Sequence, residues 1–534
     1  MKLRKLTIFV LVLTLLLSSS FLFAKIYDLT ILHTNDHHGH FDKFDPYPVK
    51  GVGGFAVQSS MIKAIRAEVE AEGGNLLILS AGDVNTGIPE SDLLDAEPDF
   101  KMMNLLGFDA MTLGNHEFDN SREVLFKQME WADFPFLSAN TLYKESGKTL
   151  VEPFVIKKFK KGLFKKSLKV AIIGLTEPRT SILTLPENVK DLDFVDPIKT
   201  AKDIVAKVEK KADIVIALTH LGYYPPNEKQ SDDLGDIELA KGVDGIDIIV
   251  GGHTHTKIKE ADIVNGAIIV QAGGYSRYMG RLDVKYDDKN GNVTLKNYEL
   301  LGVNDKERIT VDGERKVVPK GKQYDEDPQI IEALKPYLAQ ADKKLGEPLG
   351  EASVVLGGAK KDVRGKETNL GNLITDAMLD KSGAEIAFQN GGGIRASINP
   401  GTITYRDILT VQPFGNTLTT LDMSGAQVME VLNFAATIKS GSGAFLHAGG
   451  IKWTMNRGTK KAENVSVGGE PIDLNKTYKV VTNNFMATGG DGYKMLSVLP
   501  SYDTGFVDAD ALKDYIVKLG VVSPEVEGRL TIIE

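Results

Sequence analysis

The sequence predicts two α/β domains, and three observations support this prediction. The chain has 534 residues, which is too long for a single hydrophobic core. Short apolar runs alternate with polar loops or amphipathic segments from Tyr27 to about Gly302, as in layered α/β folds. A helical pattern after Asp327 separates this region from a second mixture of helices and strands. We therefore expect an N-terminal layered α/β domain with two sheets flanked by helices, a linker helix, and a smaller C-terminal α/β domain.

Composition limits the classes of function. Hydrophobic residues make up 42% and charged residues 25% of the chain, as in soluble globular proteins. The net charge of -9 and the absence of a polybasic block argue against polymeric nucleic acid as a partner. The sequence has no cysteine, which excludes disulfides, thiolate metal ligands and a cysteine nucleophile.

Residues 1–24 have the pattern of a signal peptide. Basic residues precede an apolar run, residues 6–17, and serines follow it before Ala24. The alternative is an uncleaved N-terminal membrane anchor, which would also leave the rest of the chain outside the cytoplasm. We expect cleavage near Ala24 and a periplasmic or secreted protein without a further membrane span.

The predicted N-terminal domain comprises residues 25–325. Several of its runs are apolar throughout, as expected for strands covered on both faces. Residues 57–71 have the periodicity of a helix. The predicted strands are residues 27–32, 76–80, 110–113, 136–138, 170–175, 214–218, 246–250 and 268–270.

The end of the N-terminal domain and the linker differ in pattern. Residues 302–323 are polar, rich in lysine and glutamate, and without a clear period. Asp327 then provides an N-cap, and Pro328 suits the first helical position of a linker helix within residues 326–349. Pro336 should kink this helix, because it lacks an N–H and crowds the preceding turn.

The predicted C-terminal domain comprises residues 350–534. Residues 369–382 are expected to form a helix, because their apolar side chains recur at helical spacing. Residues 385–388 and 478–482 are expected to form strands that lead into glycine-rich loops. Glycines in such loops allow the backbone to approach a ligand closely.

Polar motifs follow several strands of the first domain. In open α/β sheets, ligands gather at the carboxyl ends of the strands, so these motifs should meet. A single histidine, such as His33, His37 or His40, is more often structural than a ligand. Yet all nine histidines except His447 lie in these motifs, which random placement does not explain. The candidate metal ligands are Asp36, His38, Asp83, Asn115, His220, His253 and His255.

These side chains offer carboxylate, amide and imidazole groups but no sulfur. Such donors suit two divalent ions of zinc, manganese, cobalt or iron, with Asp83 placed to bridge them. Two ions about 4 Å apart would clamp phosphoryl oxygens and lower the pKa of a bound water toward about 7. The predicted reaction is hydrolysis of a phosphate ester by a metal-bound hydroxide.

His116, next to Asn115, is a candidate catalytic residue. It could stabilise charge on the transferring phosphoryl group or protonate the leaving oxygen, and Asp119 could orient it. The alternative for Asp119 is a cap on the following helix, and both roles are compatible.

Together these motifs resemble the signature of the dinuclear metallophosphoesterases. The longer strings at residues 32–40 and 114–119 are similar to the 5′-nucleotidase branch, and the resemblance covers both domains. It implies one ion held by Asp36, His38, Asp83 and His255, and a second held by Asp83, Asn115, His220 and His253. It also implies that His116 and Asp119 form the catalytic pair. Several members of the family carry Gln or Asn at the position of His255. The histidine of this chain still supplies a donor atom.

The resemblance also implies a substrate pocket in the second domain. Its candidate residues are Arg364, Asn390, Arg395, Phe414, Phe485 and Asp491. Two aromatic rings can stack on a nucleobase, arginines bind phosphate oxygens, and a carboxylate can accept from ribose hydroxyls. The alternative, that both phenylalanines are core residues, fits less well with their glycine-rich surroundings. The active site would then form between the domains, and domain rotation would open and close it.

The resemblance therefore predicts a metal-dependent 5′-nucleotidase that acts on nucleoside monophosphates, either as a monomer or as a homodimer. Two alternatives remain open from the sequence. A related enzyme could cleave 2′,3′-cyclic nucleotides and 3′-nucleotides, or UDP-sugars, at the same site. A non-catalytic nucleotide receptor could share the fold, but it would be expected to have lost metal ligands or His116.

Overall fold

The computed structural model describes residues 25–44, 49–159, 167–184, 186–225, 234–311 and 314–533. The predicted signal peptide, residues 1–24, lies outside this part of the chain. Within the described residues, no helix combines the length and the apolar character needed to cross a membrane.

Two six-stranded sheets form the N-terminal domain, as the sequence predicted. The first sheet, in spatial order, consists of Asn292–Gly302, Tyr278–Asp287, Ile26–Thr34, Asn75–Ser80, Ala110–Thr112 and Phe136–Leu137. The second consists of Asp262–Val264, Ala267–Gln271, Ile248–Gly251, Ile214–His220, Leu168–Thr176 and Phe154–Phe159. Every predicted strand is present, but the sequence did not indicate Asn292–Gly302, Tyr278–Asp287, Asp262–Val264 or Phe154–Phe159.

The two sheets pack face to face, and helices cover their outer surfaces. Leu29 of the first sheet lies in one buried cluster with Ile172 and Ile216 of the second. Separate clusters fill the space under the helices Phe55–Ala71 and Pro197–Val208 on the two outer faces. The central strands are thus buried on both sides, which explains why their sequences are apolar throughout.

The helices of this domain connect the strands on the two outer faces. The predicted helix at residues 57–71 is observed as Phe55–Ala71. A short strand pair, Thr141–Tyr143 with Leu192–Phe194, lies beside the main sheets. The remaining helices are Pro89–Asp92, Glu97–Leu106, Arg122–Trp131, Thr180–Leu183, Pro186–Val189, Pro197–Val208 and Asp236–Gly242.

Residues 302–323, whose sequence has no clear period, contain a β-hairpin. Its strands, Lys306–Val311 and Glu314–Pro319, pair with each other and form a sheet of their own. Most of their side chains are exposed or half-buried. The sequence shows no strand pattern here because a strand that buries neither face needs no apolar run to form.

The linker helix is observed as Pro328–Leu345, and Gly346 ends it. The Asp327 side chain caps it by accepting a hydrogen bond from the Gln329 N–H. The helix continues through Pro336, and the kink expected there stays a prediction. Its first turns bury Ile330 in the core of the N-terminal domain, whereas Leu345 belongs to a core cluster of the C-terminal domain.

A five-stranded mixed sheet organises the C-terminal domain, with apolar clusters on both of its faces. Its spatial order is Leu446–Gly449, Ile386–Asn390, Thr477–Asn483, Thr417–Ser424 and Ser501–Val507. Two smaller sheets accompany it, formed by Gly401–Thr404, Pro348–Ala352 and Val521–Val522, and by Glu470–Pro471, Lys461–Val467, Ile451–Asn456 and Leu530–Ile533. The helices are Lys360–Val363, Asn369–Ser382, Tyr405–Val411, Gly425–Ala436, Asn484–Ala487 and Asp508–Leu519.

Candidate active site

Loops from both sheets of the N-terminal domain meet at the carboxyl ends of parallel strands. The loops with Asp36 and Asp83 follow two adjacent parallel strands of the first sheet. Asn115 follows the next strand of that sheet. His220 ends a strand of the second sheet, and His253 follows the parallel strand beside it. The topology therefore brings together residues that are far apart in sequence, as expected for a ligand site at this edge.

One group of predicted metal ligands consists of Asp36, His38 and His255. One donor atom from each lies within 4.8 Å of the others. The Nε2 of His255 is 3.2 Å from Asp36 Oδ1 and 3.1 Å from His38 Nε2. A carboxylate and two imidazoles facing a common centre form a donor set suited to a divalent transition metal.

The other group consists of Asp83, His220 and His253, again with donor atoms within 4.8 Å of one another. The Nε2 of His220 is 2.9 Å from Asp83 Oδ2. The Oδ1 of Asn115 is 2.9 Å from His253 Nδ1, so the predicted amide ligand joins this group. Since the donors are oxygen and nitrogen atoms only, the two groups fit a pair of divalent ions rather than a thiolate site.

Backbone carbonyls fix which nitrogen of two histidines faces the centre. The Nδ1–H of His38 donates to the Thr86 carbonyl at 2.8 Å, and the Nδ1–H of His220 donates to the Ala81 carbonyl at 2.6 Å. A carbonyl can only accept, so in both rings Nε2 is the nitrogen left for a metal ion. Ligand histidines in metalloproteins are held in this way.

The electrostatics of the site follow from burial and from its two carboxylates. Burial lowers the pKa of His38 to about 3, and burial together with His220 lowers the pKa of His253 to about 4. Burial also disfavours charge on His220 and Asp83, but these two groups stabilise each other. Asp83 raises the pKa of His220 to about 10, and His220 and His116 hold the pKa of Asp83 well below its usual range. Ionised Asp83 gives the site a strong attraction for cations.

Several of these residues adopt a backbone conformation that L-amino acids rarely adopt. The φ angles of Asp36, His38, Asp83, His253 and His255 are 52°, 48°, 54°, 79° and 50°. Each left-handed non-glycine residue costs on the order of 1 to 3 kcal/mol. Such strain persists only where the surrounding structure imposes it, and here it coincides with the predicted ligands.

The predicted catalytic pair is also in contact. The Nδ1 of His116 lies 2.5 Å from Asp119 Oδ2. Burial disfavours a charged imidazole at His116, but Asp119 and Asp83 raise its pKa well above the usual value. A ring nitrogen of His116 lies within 4.8 Å of a nitrogen of His38 and a carboxylate oxygen of Asp83, so the pair faces the predicted metal ligands.

The predicted substrate residues surround glycine-rich loops of the C-terminal domain. The Nδ2 of Asn390 donates to Asp491 Oδ2 at 2.7 Å, and the Arg395 guanidinium lies 5.5 Å from the centre of the Phe414 ring. Phe414 and Phe485 are 56% and 44% exposed, so they are not core residues.

Arg364 belongs to the same region. A Cβ added to Gly443 would lie 3.9 Å from the Arg364 guanidinium and 3.7 Å from Asp491 Oδ2, so both side chains line one loop. Among the described residues, no hydrogen bond or ion pair links the six predicted substrate residues to the N-terminal domain. The metal-binding, catalytic and substrate-binding roles of the predicted site residues stay predictions.

Comparisons with known proteins agree with this architecture. Residues 29–257 match the family model for calcineurin-like phosphoesterases, and residues 348–498 match that for the 5′-nucleotidase C-terminal domain. The 5′-nucleotidase of Vibrio cholerae serotype O1 is 42% identical over 516 residues, which cover 92% of this chain and 90% of the relative. Protein UshA of Escherichia coli (strain K12) is 42% identical over 517 residues, with 92% of each chain covered.

The chain belongs to the 5′-nucleotidase family. It is therefore a metal-dependent phosphoester hydrolase of the 5′-nucleotidase type, which confirms the fold, family and enzyme class predicted from the sequence. Among solved structures, Haemophilus influenzae NAD nucleotidase matches with a TM-score of 0.76 at 26% identity and covers 95% of this chain and 99% of that one. The 5′-nucleotidase precursor of Thermus thermophilus matches with a TM-score of 0.55 at 32% identity and covers 95% and 100%.

Two residues that the sequence did not single out hold the predicted ligand loops. The buried Glu117 carboxylate accepts from the N–H groups of Asp83, Val84 and Gly114 at 3.0, 2.8 and 2.7 Å. The Gln271 amide donates to the Gly252 carbonyl at 2.8 Å. Glu117 lies within a recognised motif, and Gln271 ends a strand. These two positions were the only signals in the sequence that could have indicated a supporting role.

Gln271 also accepts hydrogen bonds from the loop that it supports. The hydroxyl of Thr254 donates to Gln271 Oε1 at 3.0 Å, and the N–H of Thr256 donates to the same oxygen. Since these threonines flank His255, one amide fixes the loop that carries both His253 and His255.

The two domains meet beside the predicted catalytic pair. A cleft of about 270 Å³ lies between them, and its lining includes Asp119 and Asn120 from the first domain and Tyr405 and Asp510 from the second. The hydroxyl of Tyr502 in the second domain donates to the Thr184 carbonyl in the first at 3.0 Å. The interface thus reaches the predicted catalytic pair, and the loop that carries Phe414 also approaches the N-terminal domain, since a Cβ added to Gly415 would lie 3.6 Å from the Gly87 carbonyl oxygen.

Proposed function

We propose that this protein is a secreted, two-metal 5′-nucleotidase that hydrolyses nucleoside monophosphates to nucleosides and phosphate. The observation that carries the proposal is the combination of two N/O donor groups in one domain with two exposed aromatic rings on glycine-rich loops of the other. Stacking on a nucleobase is worth about 1 to 3 kcal/mol per base, enough to favour nucleotides over simple phosphate esters.

The first ion would be held by Asp36, His38, Asp83 and His255, and the second by Asp83, Asn115, His220 and His253. The distances within each group and the backbone contacts of His38 and His220 support this division. Zinc, manganese, cobalt or iron fits these donors. When bound, two such ions supply an activated water and a positively charged clamp for phosphoryl oxygens.

His116 would handle the proton of the leaving group. Its Nδ1 is occupied by Asp119, so its other ring nitrogen is the one available to the substrate. In hydrolysis, water adds to phosphorus, the bond between phosphorus and the 5′ oxygen breaks, and that oxygen must gain a proton. A charged His116 can donate this proton or a hydrogen bond to the phosphoryl oxygens.

The substrate pocket would reach the metal ligands by rotation of one domain against the other. Support comes from the linker helix Pro328–Leu345, which joins a core cluster of the first domain at Ile330 to a core cluster of the second at Leu345. The Thermus relative also superimposes less well than the less identical Haemophilus protein, with TM-scores of 0.55 and 0.76, as expected when two domains are arranged differently. Crystals with and without nucleotide that showed one fixed domain arrangement would contradict this part of the proposal.

We further propose the domain boundaries 25–325, 326–349 and 350–534, with residues 1–24 as a cleaved signal peptide. The basic and apolar pattern of those residues supports a periplasmic or secreted location. The protein would act as a monomer or a homodimer. N-terminal sequencing of the protein exported by its host and light scattering of the purified enzyme test these points.

The test of function is product release by residues 25–534 loaded with Mn²⁺ or Zn²⁺. The substrates are AMP, 3′-AMP, 2′,3′-cyclic AMP, UDP-glucose, ATP and an aryl phosphate, and His116→Ala is the control variant. Products of cyclic AMP and UDP-glucose are identified directly, because their first products retain the phosphate.

Each outcome of this panel has one meaning. Fastest turnover of AMP, with greatly reduced activity of His116→Ala, supports the proposal. Preference for the cyclic nucleotide, 3′-AMP or UDP-glucose would keep the metal assignment and refute the proposed substrate. Binding of nucleotides without any cleavage would refute the proposed catalysis altogether.

A further inference from the structure

One side chain outside the recognised motifs contacts the catalytic pair directly. The hydroxyl of Thr184 donates to Asp119 Oδ1 at 3.1 Å, while Asp119 Oδ2 faces His116 Nδ1 at 2.5 Å. Thr184 is 0% exposed, so this hydroxyl is shielded from solvent. The two oxygens of Asp119 therefore have separate partners, and the plane of the carboxylate is defined by both.

The segment around Thr184 is docked against the same motif at a second point. The Nδ2 of Asn188 donates to the carbonyls of Phe118 and Asp119 at 2.9 and 3.0 Å. The backbone of Asp119 is thus fixed by Asn188, and its side chain is fixed by Thr184. These contacts come from residues about seventy positions further along the chain.

The orientation of Asp119 matters because it sets the orientation of His116. The terminal torsion of an aspartate is broad and only weakly restricted by its own rotamer preferences. A carboxylate that holds an imidazole must therefore be held by another group, and partners of this kind typically change activity 10- to 100-fold when removed. The Thr184 hydroxyl is the side-chain donor that does this at Asp119 Oδ1.

We propose that Thr184 is a positioning residue for the reaction, which orients the Asp119 carboxylate and, through it, His116. This inference rests on the proposed role of His116 in phosphoester hydrolysis. The same residue also accepts the Tyr502 hydroxyl through its carbonyl, so the position of Thr184 is fixed from the C-terminal domain as well.

The test uses the metal-loaded enzyme and an aryl phosphate, with kcat and KM measured separately. Thr184→Val removes the hydroxyl and keeps a branched side chain of similar size. We expect kcat to fall about 10- to 100-fold, while KM changes by less than about twofold. Thr184→Ser keeps the hydroxyl and should recover most of the lost kcat.

The matched control is Thr180→Val on the same segment. Thr180 is equally buried, and its hydroxyl donates to the Glu177 carbonyl rather than to Asp119. We expect its kcat to stay within about twofold of the unsubstituted enzyme. Melting temperatures of all variants identify any that fail to fold, and Thr184→Ala then replaces Thr184→Val.

A double-mutant cycle with His116→Ala decides whether Thr184 acts through the catalytic pair. If it does, Thr184→Val should lower the residual kcat of His116→Ala by less than about twofold, because the group being positioned is gone. An equal loss in both backgrounds, or a serine variant as impaired as the valine variant, would overturn the proposal. An enzyme that cleaves the aryl phosphate but not AMP would refute the nucleotide substrate and leave this cycle fully informative.

Discussion

Glu117→Gln should weaken both the metal centre and the fold of the N-terminal domain. The carboxylate accepts three backbone N–H groups from the two loops that carry Asp83 and Asn115. A glutamine retains one acceptor oxygen, loses the charge, and turns an NH₂ group toward one of these N–H donors. Hydrogen bonds to charged groups are worth about 1.5 to 3 kcal/mol each, and an unsatisfied buried donor costs a similar amount.

The expected loss of stability of the metal-free protein is therefore on the order of 3 to 4 kcal/mol. Metal affinity should fall about 10- to 100-fold, because the loops are less well held before the ion binds. Burial and Asp83 raise the pKa of Glu117 to about 7, so the comparison belongs at mildly alkaline pH, where the unsubstituted carboxylate is ionised.

Titration calorimetry with Mn²⁺ or Zn²⁺ measures the affinity, and denaturant unfolding of the metal-free protein measures the stability. Glu123→Gln is the matched control, because Glu123 is exposed on the next helix and its carboxylate interacts with Ser121 and with its own backbone N–H. If Glu117→Gln binds metal as tightly as the Glu123→Gln protein and unfolds at the same denaturant concentration, the reasoning from these three hydrogen bonds is refuted.

Three further predictions concern binding, stability and metal dependence. Phe414→Ala and Phe485→Ala should each raise KM for AMP about 5- to 150-fold without affecting turnover of an aryl phosphate. Phe126→Ala is the control, because Phe126 is 40% exposed and lies on the other domain. Equal losses of activity of the Phe414 or Phe485 variants on AMP and on the aryl phosphate would contradict stacking. Burial raises the pKa of Asp99 to about 8, so the folded state prefers the protonated carboxyl. Stability should therefore fall as pH rises from about 4 to about 8, by up to about 6 kcal/mol. In denaturant titrations, Asp99→Asn should lack this pH-dependent part of the free energy of unfolding. Identical pH profiles for the variant and the unsubstituted protein would disprove the contribution of Asp99. Chelation should abolish activity and added Mn²⁺ or Zn²⁺ should restore it, so activity that survives complete metal removal would exclude the two-metal assignment.

The parts of the fold that the sequence predicted are those with local signals. Buried parallel strands require apolar residues on both faces, so Leu168–Thr176 and Ile214–His220 stand out as runs. Asn292–Gly302 was missed because it lies at the edge of its sheet, with mostly exposed or half-buried side chains. Its neighbour Tyr278–Asp287 pairs with Ile26–Thr34 across some 250 positions, and local sequence carries no signal of that pairing.

The candidate site also contains residues that the sequence indicated and residues that it did not. That Asp36 and His253 lie close together was predictable, because topology restricts where strand ends meet. Their role as metal ligands stays a prediction that rests on the chemistry of their side chains. Glu117, Gln271 and Thr184 were not predicted, because a common polar residue gains its role only through a contact formed on folding. Supporting residues of this kind are visible only once distances are known.

If the domains rotate as proposed, the linker helix limits where the chain can pivot. Ile330 is buried in the first domain, and the Asp327 carboxylate accepts hydrogen bonds from Ser59 and Lys63 of that domain. The start of the helix is therefore anchored to the N-terminal domain. Between Leu345 and the following strand, Pro348–Ala352, only Gly346 and Glu347 intervene, so any turning of the second domain must be concentrated in a few backbone torsions. A substitution that stiffens the joint at Gly346 and Glu347 would slow the proposed rotation of the domains. It would leave the predicted metal ligands and the predicted substrate residues unchanged.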